Sequence, residues 1–146
     1  MNRSELNNQD LDRIRDICEE AGIKLTHQRL EIFKELMVAK DHPSAEEVHR
    51  HLQERMPTVA LDTVYRTLST FDELGIAKKL HLANKSNLFD TNLTPHHHFI
   101  CELCGKVEDV YWSDFDTSPL PEKISSVGEI RSRHLELYGV CKNCLE

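Results

Sequence analysis

Apolar residues recur at helical spacing through the first half of the chain. Leu11, Ile14, Cys18 and Ala21 predict a helix over residues 9–21. Gly22 follows as a stop, because a left-handed residue after a helix costs glycine little. Thr26 caps a second helix, whose apolar stripe is Ile32, Phe33, Leu36 and Met37. Ser44-Ala45-Glu46-Glu47 is a capping box that starts a third helix. Val48 and Leu52 continue its buried face, and Pro57 ends the stretch. A fourth helix over 62–74 carries Val64, Leu68, Phe71 and Leu74, and closes at Gly75. Two strand-like runs come next, Ala77 to Leu82 and Asn87 to Asp90, joined by the turn formers Ala83-Asn84-Lys85-Ser86. Helices followed by a small hairpin is the element order of a winged helix-turn-helix.

Beyond Asp90 the pattern changes. His98 to Cys101 and Lys106 to Tyr111 read as strands, Pro119 to Val127 as a short helix, and Ile130 to Val140 as a third strand with Leu135 and Leu137 on one face. The boundary falls in Thr91-Asn92-Leu93-Thr94-Pro95. The expected class is α+β, with a winged-helix domain over 1–90 and a small α/β domain over 91–146. A unit of about 55 residues commonly needs a metal or a partner subunit to be stable.

Composition narrows the function. The 146 residues are 39% hydrophobic and 29% charged, a globular balance. No apolar run approaches the ~20 residues of a membrane helix. The N-terminal Met1-Asn2-Arg3-Ser4-Glu5-Leu6 lacks the apolar core of a signal peptide. The expectation is a cytoplasmic protein with no membrane partner. Net charge is -7, with -3 on residues 1–83 and -4 on the rest. Bulk charge therefore argues against nucleic acid, and any DNA-binding reading has to rest on local motifs.

Four of the five cysteines form two pairs, Cys101-x-x-Cys104 and Cys141-x-x-Cys144. Each pair lets two thiolates from one turn reach the same ion, and together they make the closed four-sulfur shell that structural zinc prefers. A redox pair or an iron–sulfur ligand set are the alternatives, and both fit less well at the two ends of a small α/β unit. A closed site performs no chemistry on substrates. Cys18 lies on the stripe of the first helix and reads as a small buried hydrophobe.

A second constellation is Pro95-His96-His97-His98. On a strand His96 and His98 share a face, and His97 points away. Asp90 lies upstream at the end of the predicted wing, Asp109 on the neighbouring strand, and His42 just before the third helix. Three imidazoles and two carboxylates suit Fe(II), Mn(II) or Zn(II). The plain alternative is surface histidines that solvate a loop.

Three blocks carry a family resemblance. They are Leu61-Asp62-Thr63-Val64-Tyr65-Arg66-Thr67-Leu68, His96-x-His98-x-x-Cys101-x-x-Cys104-Gly105-Lys106, and Leu135-Glu136-Leu137-Tyr138-Gly139-Val140-Cys141-x-x-Cys144. Over essentially its whole length the chain resembles the ferric uptake regulator family of metal-dependent bacterial repressors. The resemblance implies a homodimer with an N-terminal winged-helix DNA-binding domain and a C-terminal α/β dimerisation domain. It puts structural Zn2+ on Cys101, Cys104, Cys141 and Cys144. It puts a regulatory Fe2+ or Mn2+ on His42, Asp90, His96, His98 and Asp109. Aspartate at both 90 and 109 is similar to the peroxide-sensing members, whereas iron sensors usually carry glutamate at the first. The zinc-sensing members often have a cysteine in the regulatory site, and none stands at the matched positions here. Pro95 and Arg133 stand where some members have accessory ligands, so one regulatory metal per subunit is expected.

The implied function is metal-dependent repression at a palindromic operator in double-stranded DNA, with peroxide sensed through Fe(II)-catalysed oxidation of His42 or His96. An iron-sensing repressor of iron-uptake genes and a zinc-responsive member are the alternatives. Tyr65 would meet a thymine methyl, Arg66 a phosphate or base edge, Lys24 the minor groove, and Arg29 a phosphate. An enzyme is not expected, because neither His-Glu-x-x-His nor a deaminase-type His-x-Glu paired with Pro-Cys-x-x-Cys occurs.

Overall fold

Side-chain caps and glycine stops set the helices of the N-terminal half. A computed structural model describes residues 7–39, 42–82, 85–92 and 94–146, with 81–82 and 85–87 as backbone only. Helix α1 spans Asn8–Glu20, α2 His27–Val38, α3 Ala45–Leu52 and α4 Leu61–Glu73. Asn7 Oδ1 accepts the Gln9 N–H at 3.0 Å, Thr26 Oγ1 the Arg29 N–H at 3.2 Å, and Ser44 Oγ the Glu47 N–H at 3.1 Å. Each cap satisfies a backbone donor that the helix cannot. At the end of α4, Gly75 turns back with φ 74°. Its N–H donates to Asp72 O at 3.1 Å, and the Ile76 N–H donates to Phe71 O at 2.9 Å. A β-carbon there would cost about 1–2 kcal/mol. Helix α1 ends the same way at Gly22.

The apolar stripes meet in one core, with Ile14, Ile32, Leu36, Leu52, Val64, Leu68 and Phe71 all but sealed from solvent. Phe33 and Phe71 pack edge to face, with centroids 6.2 Å apart. Strand β1 (Lys78–Leu82) pairs antiparallel with β2 (Lys85–Asp90) to form the wing. Of the expected turn between them, Ala83 and Asn84 lie outside the described residues. An antiparallel bridge from Ser44 to Leu88, with the Phe89 N–H on Pro43 O at 2.9 Å, adds the lead-in of α3 to the hairpin.

Helix α2 also buries two carboxylates that a hydrophobic stripe does not foretell. Glu31 and Glu35 are both buried, and Arg55 from beyond α3 answers both. Its Nε lies 2.8 Å from Glu31 Oε2, and its Nη1 donates to Glu35 Oε1. Buried carboxylates persist only when paired in this way.

The chain forms two compact units, Met1–Leu93 and Thr94–Glu146. In the second, β3 (His97–Cys101) is the central strand, antiparallel to β4 (Val107–Val110) and parallel to β5 (Glu136–Gly139). The remaining elements are α5 (Ser113–Thr117), α6 (Glu122–Ser125) and α7 (Lys142–Leu145). Two expectations are corrected here. The helix expected over Pro119 to Val127 is the single turn α6, exposed along its length, with no apolar face to dock. The strand expected over Ile130 to Val140 is only Glu136–Gly139, because β3 offers a partner edge for no more than that. Upstream, side chains take over from the sheet. Arg133 Nη1 donates to Phe115 O and Ser118 O, each at 2.8 Å, and the Leu135 N–H donates to His97 Nδ1 at 3.0 Å. No helix among the described residues is long and apolar enough to cross a membrane.

Arg55→Met should destabilise the chain by about 2 kcal/mol at pH 7, because it strands two buried carboxylates. Burial would raise the Glu31 carboxyl, but Arg55 and Lys34 together hold it below its ordinary 4.5. The lowered folded value means this stabilisation is present above about pH 4.5 and fades below it. Urea titrations followed at 222 nm should show the wild-type and variant curves converging as pH falls through that range.

Candidate metal centre

The Cys101–Lys106 turn is built to aim sulfur inward. The Gly105 N–H donates to Cys101 O at 2.9 Å, the Cys101 N–H donates to Lys106 O at 2.9 Å, and Gly105 takes φ 76° to make this possible. Cys141 caps α7, which returns Cys144 to the same place. One sulfur from each of Cys101, Cys104, Cys141 and Cys144 lies within 4.8 Å of the others. Cys101 and Cys144 Sγ are 3.8 Å apart, and Cys104 and Cys141 Sγ 3.7 Å. Four sulfurs about 2.3 Å from one ion occupy tetrahedron corners about 3.8 Å apart, so the set fits zinc.

Electrostatics favour an ion over four free thiols. The backbone N–H groups of Cys104 and Cys141 point at Cys101 Sγ, at 3.5 and 3.3 Å, and lower that thiol to about 6. Cys144 is pushed up to about 12, chiefly by Cys141 and then by Cys104. Four thiolates this close need a divalent cation to stay charged together. By contrast Cys18 is buried in the helical core, and burial raises its thiol.

Strand register builds a different donor set in the same unit. His98 stands directly opposite Asp109 across the β3–β4 ladder, and His96 precedes it on the same face. The Nε2 atoms of His96 and His98 each lie 3.5 Å from Asp109 Oδ1, and the two rings meet edge to face at 4.8 Å. His96 Nδ1 is fixed 2.6 Å from Thr94 O. Atoms about 2.1 Å from a shared ion lie about 3–3.5 Å apart, so these three donors are spaced for one metal. The N-terminal unit carries a matching pair. The Ser44–Leu88 bridge sets His42 opposite Asp90, with His42 Nε2 3.5 Å from Asp90 Oδ2 and both side chains more than nine-tenths buried.

His97 does point away from His96 and His98, as alternation requires, but not into solvent. It is 2% exposed, and its Nε2–H donates to Asp116 Oδ1 at 2.5 Å. The Leu135 donor on Nδ1 fixes this tautomer. His134 lies ring to ring with His97 and His98, at 5.6 and 5.3 Å. Neither Asp116 nor His134 is evident as a partner from spacing, since both reach the strand from outside the sheet.

The expected DNA-contacting residues belong to the first unit. Lys24 is exposed, and Arg29 Nη1 donates to its carbonyl at 2.5 Å. Arg66 is 82% exposed, with Nε 3.0 Å from Asp62 Oδ2. Tyr65 is half-buried, with its side chain packed against the helical core and its hydroxyl donating to Glu46 Oε1 of α3. That bond joins α4 to α3, and the two helices pack on one another.

Comparison with known proteins shows which family the chain belongs to. The ferric uptake regulator family model matches residues 20–138. A peroxide-responsive repressor PerR of Staphylococcus epidermidis is 35% identical over 127 residues, which cover 86% of this chain and 84% of the relative. The solved ferric uptake regulator of Francisella tularensis with iron is 30% identical, with a TM-score of 0.72 over 86% of this chain and 96% of that one. The Helicobacter pylori regulator Fur, whose structure is described as revealing three functional metal binding sites, has a TM-score of 0.80. It covers 100% of this chain and 98% of its own at 22% identity, and so speaks to the fold alone.

Cys104→Ser should lower zinc content from about one ion per chain to near none, read by metal analysis after desalting. The same loss should redshift the emission of Trp112, which stacks on Phe115 in this unit. Retention of stoichiometric zinc would contradict the four-sulfur assignment.

Proposed function

The chain belongs to the ferric uptake regulator family of metal-responsive transcriptional regulators, and we propose that it represses transcription in the cytoplasm as a homodimer on palindromic operator DNA. In this reading residues 1–90 bind DNA and 91–146 dimerise, with structural zinc on Cys101, Cys104, Cys141 and Cys144. His42, Asp90, His96, His98 and Asp109 share one regulatory Fe(II) or Mn(II). The observation that carries it is the spacing of the two donor groups, in which every measured imidazole–carboxylate pair stands at 3.5 Å.

The chain's own residues supply the coupling. His42 is joined to the start of α3, and Asp90 ends the wing. His96, His98 and Asp109 belong to the other unit. A conformation in which all five donors meet is stabilised by whatever ion they share, so population shifts toward it. In a two-fold dimer that conformation sets the spacing of the two α4 helices against two operator half-sites.

Peroxide sensing rests on the same ligands. Aspartate at both 90 and 109 and the 35% identity to a peroxide-responsive repressor favour it over plain iron sensing. Held by these donors, Fe(II) would supply the one-electron chemistry that opens the peroxide O–O bond and would recover that electron from the oxidised ring. In the net change one peroxide oxygen ends on an imidazole carbon of His42 or His96, and the other leaves as water with the displaced proton. An oxidised ring is a poor ligand, so the five donors no longer hold one conformation and DNA is released.

Gel shifts on genomic fragments should appear with Mn(II) or Fe(II) and vanish with a chelator. His42→Ala should weaken metal-dependent binding by at least about tenfold while leaving zinc content unchanged. Peroxide should abolish the shift of the Fe(II)-loaded protein only, with a peptide containing His42 or His96 gaining the mass of one oxygen. An unmodified peptide from a peroxide-treated, iron-loaded sample would favour the iron-sensing alternative.

A further inference from the structure

The side chains proposed to read DNA are engaged by carboxylates of the protein's own surface. The Tyr65 hydroxyl donates to Glu46, which sits on the first turn of α3 just after the Ser44 cap. The Tyr65 side chain is half-buried and packs against the helical core. One residue further on, Arg66 holds Asp62 a single turn earlier on α4, and both side chains are more than two-thirds exposed. The Tyr65 hydroxyl and backbone N–H donation keep the Glu46 carboxyl below its ordinary range, so it is charged at neutral pH. Glu47 adds another exposed carboxylate on the same turn. The reading face thus carries fixed negative charge beside each reader, on a segment whose net charge is already -3.

We propose that Glu46 and Asp62 are specificity-determining residues, which occupy Tyr65 and Arg66 in the free protein and penalise any duplex that does not reward both. The inference rests on the DNA-reading role given above to Tyr65 and Arg66. Its physical basis is that non-specific affinity is almost wholly phosphate electrostatics, the same for every sequence. A carboxylate beside an arginine cancels most of that attraction and repels the phosphate as well. A matched base edge offers Arg66 two directed hydrogen bonds, which outweigh an exposed i,i+4 pair. A phosphate alone offers little net gain. Discrimination then comes from repulsion of wrong sequences as much as from attraction to the right one.

The test uses the Mn(II)-loaded full chain and two duplexes. One is a palindrome selected by the wild-type protein from a random pool, and the other is its scramble of equal composition. Anisotropy titrations across a salt series compare wild type with Asp62→Asn, Glu46→Gln and the charge-retaining Asp62→Glu. The exposed positions should leave circular dichroism and zinc content unchanged. Asp62→Asn should tighten binding to the scramble several-fold and steepen its log–log salt slope by about one, and Glu46→Gln should tighten it with little change of slope, because Tyr65 carries no charge. Affinity for the selected duplex should change by less than about twofold, so selectivity falls, and Asp62→Glu should keep wild-type selectivity. Unchanged affinity and slope on the scramble would overturn the proposal, as would a parallel loss on both duplexes, which marks a merely structural pair. A selection that returns no metal-dependent duplex would instead sink the DNA-reading role itself, and this inference with it.

Discussion

Between Thr94 and Glu146 the buried apolar side chains among the described residues are Ile100, Cys101 and Cys141, and two of those three carry sulfur. A three-stranded sheet with so little apolar interior does not fold on hydrophobic burial alone. Four sulfurs placed to close on one ion supply a constraint that apolar burial within one chain does not. It ties the end of β3 to the residues after β5, and so holds β5 parallel to β3 across a long connection. Backbone donors aimed at Cys101 favour its thiolate, whereas crowding by Cys141 and Cys104 keeps Cys144 a thiol unless a cation offsets the charge.

With that sheet held, pairing register does the finer work. A slip of one residue between β3 and β4 would turn Asp109 to the face of His97 and separate it from His96 and His98. The existing register puts opposite sides of one strand to different uses. The His96 and His98 face gathers nitrogen and oxygen donors, while the His97 face is locked by Asp116 and the Leu135 backbone. In the N-terminal unit one bridge, Ser44 to Leu88, does the corresponding work by carrying His42 to Asp90. Each donor group is thus a by-product of backbone pairing, which gives ligand positions that side-chain flexibility alone would not hold.

The helical unit solves a different problem. Its core is ample, and its charged residues are the ones under constraint. Arg55 lets α2 keep two buried carboxylates, and Glu46 and Asp62 engage the side chains at the outward face of α4. Under the proposed DNA-reading role, this acidic winged helix would meet a polyanion best where the hydrogen bonds made to the duplex outweigh the internal pairs given up.

Local sequence determined a good deal. Apolar spacing, the Thr26 and Ser44 caps and the two terminal glycines set the four helices to within a residue or two, because those signals act over a single turn. The Cys-x-x-Cys pairs were equally plain, since four thiols at such spacing have few other uses. Tertiary structure alone decided what depends on residues far apart in the chain. The start of β5 was set by the edge that β3 offers, the pairing of Glu31 and Glu35 by an arginine some twenty residues on, and the surroundings of Tyr65 and His97 by Glu46 and Asp116. In each case the deciding partner comes from another element, and no periodicity within a segment encodes which side chain a distant stretch of chain will bring to it.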